Sequence, residues 1–124
     1  MRSNALVLIL ILLGSTLALS VEAQSHRAGR SGFHGAIAYH PETGSVGFSF
    51  DFKKSRDAKA AALTQCGQPS CQVVVSVRNA CGALRVAGGK WFIAPGATRD
   101  EAETMVGAKC TAKSCKTVAW TCTK

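Results

Sequence analysis

The sequence predicts an α+β domain written twice. Two β-β-α-β units form a largely antiparallel sheet, with two helices packed on one face and disulfide bridges between elements. Three observations predict it. Strand-type and helix-type periodicities follow in the same order in two stretches, about 34–81 and 82–122. Cys66 and Cys71 recur as Cys110 and Cys115 at the same spacing. Six cysteines behind an export leader read as a cross-linked framework.

The leader comes first. Arg2 gives a short positive start, residues 5–13 are an unbroken apolar run, and Val21 and Ala23 suit the −3 and −1 positions of a cleavage site. This is the pattern of a secretory signal peptide over residues 1–23. The run is short for a membrane span, which needs about 20 residues. The rival reading is an uncleaved anchor, because the apolar character resumes over residues 17–21. Residues 24–33 are small, polar and basic and read as a flexible arm. A single duplicated domain then occupies 34–124, with no transmembrane span in the mature form. The expected location is secreted or periplasmic.

In the first copy, residues 35–39 are a short strand, and Pro41 and Gly44 mark a turn. Val46, Phe48 and Phe50 then alternate with small or polar residues, which predicts a strand whose aromatic face enters the core. Ser55 is the expected N-cap of a helix, with Asp57 in its first turn. Ala58, Ala62 and Cys66 share one face of that helix. Residues 67–70 stop it. The β-branched run over 71–77 is the closing strand.

The second copy follows the same order. Residues 83–87 are a strand, Gly88 and Gly89 a tight turn, and 90–94 a strand broken by Pro95 and Gly96. Thr98 and Glu101 make a capping box. Ala102, Val106 and Cys110 repeat the helical face, and 115–121 close the unit. The match has two flaws: the cap stands one residue further from its cysteine, and the first turn is shorter. Neither copy alone could cover its apolar strand face, so the pair should pack as one domain.

Six cysteines allow 15 connectivities. In each copy one cysteine ends a helix and the next begins a strand after a reversal, which favours Cys66–Cys71 and Cys110–Cys115. Cys81–Cys122 remains, joining corresponding strands of the two copies. Zinc is the rival, since two pairs of close cysteines could supply four thiolates. Export favours oxidation, and zinc would leave two thiols over. No metal and no cofactor is expected.

Residues 35–39, the turn at Thr43 and Gly44, residues 55–58, Cys66, Cys71 and residues 73–75 resemble the bacterial domain-of-unknown-function family 4189. The most specific stretch is 78–83, and the likeness continues through 96–99, Cys110, Cys115 and residues 118–120. It covers about residues 34–122. The resemblance implies a small exported protein and carries no catalytic residues. Some members belong to host-associated bacteria, which implies an effector role as one possibility. Residues 90–93 depart from the family in being less glycine-rich.

A length of 124 residues rules out a large multidomain enzyme, and 47% hydrophobic against 18% charged residues argues against disorder. There is no phosphate-cradling glycine loop and no dinucleotide fingerprint. His26, His34 and His40 read as solvent-facing polar residues. Asp57, Asp100, Glu101 and Glu103 read as first-turn helix residues. Asp51 alone lacks a structural role, unless it pairs with Lys53 or Lys54. The chain is therefore not expected to be an enzyme; the alternative is a small envelope-polymer hydrolase using Asp51 and His34 or His40.

The formal charge of +8 favours an anionic partner. Lys53, Lys54, Arg56 and Lys59 form the candidate basic patch. Lys109, Lys113 and Lys116 form a second cluster, with Lys124 close by in sequence. Nucleic acid is not the expected partner, because the aromatics are assigned to the core. The expected function is an exported, non-enzymatic binding protein of the envelope or extracellular space. It could serve as an effector or inhibitor, engaging an anionic envelope or host surface or a protein.

Overall fold

The computed structural model describes residues 32–124. The expected leader lies outside the described residues, as does all of the arm but its last two positions. The elements are β1 (His34–Tyr39), β2 (Val46–Phe52), α1 (Ser55–Cys66), β3 (Gln72–Arg78), β4 (Cys81–Ala87), β5 (Lys90–Gly96), α2 (Arg99–Lys109) and β6 (Lys116–Cys122). This is an α+β fold with the layout β-β-α-β in each half.

All strand pairs are antiparallel, and the strands divide into two sheets of three, ordered β2-β1-β3 and β5-β4-β6. In each half the first strand is central. The register between the central and closing strands repeats as well, whereas β1 against β2 is irregular between His34 and Ala36 and β4 against β5 is not. β1 against β3 shifts between Ile37 and Ala38, and β4 against β6 shifts between Leu84 and Arg85.

The central strands explain why one sheet is not enough. β1 is buried from Gly35 onward, and β4 from Cys81 through Leu84. Each therefore needs cover on both faces. On one face Ala36 and Ala38 pack against Ala62 and Cys66 of α1. On the other, Ile37, Tyr39, Val75 and Val77 meet Leu84 and Ala119 of the second sheet. Ala83, Cys81 and Ala94 pack in turn against Ala102 and Val106 of α2. The two helices thus lie on the outer faces of a two-sheet sandwich, each on its own sheet, rather than together on one face.

Small residues set this spacing. A Cβ on Gly47 would strike the carbonyl oxygen of Ala62 and the backbone nitrogen of Cys66, so α1 rests directly on β2. Next to it, the buried Ser49 hydroxyl donates to Ala58 O at 2.6 Å and accepts from Ala36 N at 3.2 Å.

Two helix starts differ in kind. Thr98 caps α2, its hydroxyl accepting from Glu101 N at 3.1 Å, while the Glu101 carboxylate reaches back to Ala97 N at 3.0 Å. For α1 the expected cap Ser55 is instead the first helical residue. Lys54 holds the cap position, without a side-chain bond. The two caps then stand equally far before Cys66 and Cys110, and the offset read in the sequence disappears. Glu103 also lies beyond the first turn, where it pairs with Arg99. β5 continues through Pro95, which is tolerated because β5 is an edge strand.

The structure joins Cys66–Cys71, Cys110–Cys115 and Cys81–Cys122, so no described cysteine is free. Cys81 opens β4 and stands directly opposite Cys122 of β6, so the third bridge lies within the second sheet and does not join corresponding strands of the two copies. Among the described residues, no helix is long and apolar enough to cross a membrane.

Candidate functional site

The alternation in β2 is present, but its faces are the reverse of the expected ones. Gly47 and Ser49 point to the helix and are buried, while Phe48 is 43% and Phe50 55% exposed. The reason is the helix. Its contact face is Ala58, Ala62 and Cys66, and a close approach of backbones needs a small strand face. The aromatic face is left to the inner side of the sandwich. There β2 is an edge strand, and the second sheet reaches it with only its own edge strand, β6.

β6 supplies the opposing wall. Ala119 and Thr121 turn inward and are buried, whereas Val118 and Trp120 remain exposed, because α2 sits over β5 and β4 rather than over β6. The guanidinium of Arg99 lies 4.0 Å from the Trp120 ring centroid, and its Nη2 is 3.3 Å from Glu103 Oε1. The pair holds the indole in place from the α2 side, as a cation over an aromatic face does. Between the walls runs a groove of about 660 Å³, bounded by Val46, Phe48 and Phe50, by residues 117–122, and by Arg99 and Glu103.

The residues singled out in the sequence lie elsewhere. Lys53, Lys54, Arg56 and Lys59 are exposed where β2 passes into α1, just beyond Phe50. Arg56 lies 3.8 Å from Asp57 in an exposed pair. Lys109 turns back to Ile93 O at 2.9 Å. Lys124 joins the first cluster rather than the second: its backbone nitrogen donates to Asp51 Oδ1 at 3.1 Å. That bond is the structural role Asp51 lacked in the sequence.

Of the alternative catalytic set, only His34 stands near Asp51, because it pairs with Phe52, the next residue along β2. His34 opens β1 opposite Phe52 and Arg78. His40 lies just past the other end of the same strand, roughly 20 Å away at about 3.3 Å per residue. It is not solvent-facing as expected: it is 6% exposed, and its Nδ1 accepts from Thr43 N at 3.1 Å, closing the turn. None of Asp51, His34 and His40 lines the groove. Among the described residues, no group of three or more His, Cys, Asp or Glu could hold a metal ion.

Phe48, Phe50, Trp120 and Arg99 are the site residues that periodicity missed. The signal was present: two small-residue faces, Gly47 with Ser49 and Ala58 with Ala62, stand in neighbouring elements and demand each other. The premise that kept aromatics away from the basic surface therefore does not hold.

The family model described as domain of unknown function (DUF4189) matches residues 34–122. The chain is also similar to a solved structure, the NMR structure of Rv1813c from Mycobacterium tuberculosis. That likeness has 32% sequence identity, covers 73% of this chain and 74% of that one, and has a TM-score of 0.58. No curated protein matches. With the family model spanning every element from β1 to β6, the chain belongs to the DUF4189 family.

Proposed function

We propose that this is an exported, non-enzymatic binding protein of the envelope or extracellular space, whose binding face is the groove between β2 and β6. The observation that supports this most is the exposure of Phe48, Phe50 and Trp120 around one cavity. Exposed apolar surface gathered in a concave site, with a few placed polar groups, is the ordinary character of a ligand face. Three disulfides make the scaffold rigid and fit an oxidising compartment. Lys53, Lys54, Arg56, Lys59 and Lys124 sit at the Phe50 end of the groove and steer an anionic partner towards it. Such a face serves an effector that meets a host surface or an inhibitor that occupies an enzyme.

The test uses Trp120 as reporter in a Trp91→Phe background. The protein is titrated with anionic and neutral vesicles, acidic glycans and acidic proteins across a salt series. The expected result is a partner that changes Trp120 emission, binds more weakly as salt rises, and is lost in Phe48→Ser/Phe50→Ser with the fold intact. If no partner class moves Trp120, the groove is not the binding face.

A further inference from the structure

The lining of the groove shows what shape of ligand it takes. Residues 117–122 all border it without a gap. Successive side chains of a strand point to opposite faces. A cavity bordered by six consecutive strand residues therefore lies along the strand's edge, not against one face. That edge is open among the described residues: β6 is bonded to β4 on one side, and none of their strands lies on the other. Nor is its middle protected. Residues 117–122 hold no charge and no proline, the usual devices against edge pairing.

We propose that the groove takes an extended acidic peptide segment of a partner protein, which adds a strand to the free edge of β6. Alternate side chains of the peptide then meet two different walls, Phe48 and Phe50 on one side and Val118 and Trp120 on the other. Main-chain bonding gives affinity and the two walls give specificity. The fold does not require these walls. At the corresponding places on the opposite side of the sandwich, the register puts Ile93 for Phe48, Trp91 for Val46 and Ser76 for Trp120, and Ser55 opens α1 as Arg99 opens α2. The opposite side has its own exposed indole, Trp91, but at the place of Val46; an indole at the Trp120 position, with an arginine from the helix start over it, belongs to one side only.

Charge chooses the occupant. Lys113 and Lys116 stand at the start of β6, and Lys124, with Lys53 and Lys54, stands at its end. Acidic residues flanking an apolar core of the peptide would meet a cation cluster at each end. A second copy of this chain fits poorly. Two molecules of charge +8 repel, and an antiparallel pairing of two β6 edges would set Lys116 of one near Lys124 of the other. A single-stranded nucleic acid also fits poorly. Among the described residues, the one cation lining the groove, Arg99, is already held by Glu103 and Trp120.

This inference rests on the groove being the binding face, and the test separates the two. Three capped peptides about as long as β6 are compared, all apolar at alternate positions. The first carries glutamates at both ends, and the second carries lysines there. The third is the first with alternate backbone nitrogens methylated. Amide hydrogen exchange over residues 116–122 and Trp120 emission in Trp91→Phe are read, with circular dichroism confirming the fold. The acidic peptide should slow exchange along β6 and bind about tenfold more tightly than its lysine twin at low salt. The gap should shrink at high salt, and methylation should abolish binding. Equal binding of the methylated peptide overturns strand addition. So does a concentration-dependent dimer that protects β6 without any peptide, which assigns the edge to a second copy. If oligonucleotides or vesicles move Trp120 while no peptide does, this inference fails and the groove stands as a binding face.

Discussion

The Thr121 hydroxyl donates a 2.7 Å hydrogen bond to the carbonyl oxygen of Ser49. The two residues lie on edge strands of different sheets, one from each half of the chain. Thr121 is 2% exposed and also borders the groove. Thr121→Val keeps the shape and removes the donor, so the buried Ser49 carbonyl loses this bond. The expected loss is about 1–3 kcal/mol, and Thr121→Ser should lose less. Urea denaturation of the three proteins checks this; equal midpoints would mean that water satisfies Ser49 in place of the threonine.

The three disulfides should contribute unequally. Cys81–Cys122 closes a sequence separation of 41, and the other two close separations of 5. On the chain-entropy model the long bridge is worth about 4 kcal/mol and each short one about 2 kcal/mol. Replacing each pair by alanines and measuring thermal unfolding should rank Cys81–Cys122 first.

The helix caps offer a paired test. Thr98→Ala removes a bond to Glu101 N and should cost about 1 kcal/mol. Ser55→Ala removes no cap bond, because the cap position is Lys54, and should change stability by no more than a few tenths of a kcal/mol. Comparable losses at both sites would return the cap to Ser55.

The reversed face of β2 predicts opposite sensitivities at neighbouring positions. Gly47→Ala drives a methyl into the backbone of α1 at Ala62 and Cys66 and should cost at least the ~1–3 kcal/mol of ordinary overpacking. Phe50→Ser, at an exposed position, should cost about 1 kcal/mol or less. A core phenylalanine would lose about 3–5 kcal/mol on truncation. Chemical denaturation of both variants decides which face of β2 is inside.

The extent to which the sequence spoke for itself differs between fold and site. The turn at Pro41, the capping box at Thr98 and the strand over residues 71–77 are local, and local chemistry read them. The cysteine pairing was legible for the same reason, since each short bridge spans one reversal of the chain. His40 and Asp51 were not legible. One is buried by accepting a backbone bond within its turn, and the other is tied to Lys124, far off in sequence.

The order of elements, the two-copy layout, the disulfide framework and the charge are properties of the chain itself, because periodicity, spacing and composition act over a few residues. The contents of each strand face were settled only when helices and sheets met. Phe48 and Phe50 are exposed because α1 needs the glycine side of β2, and Trp120 is exposed because α2 covers β5 and β4 instead. An alternating strand has two faces of equal standing. Only a neighbour of definite size decides which of them becomes the interior.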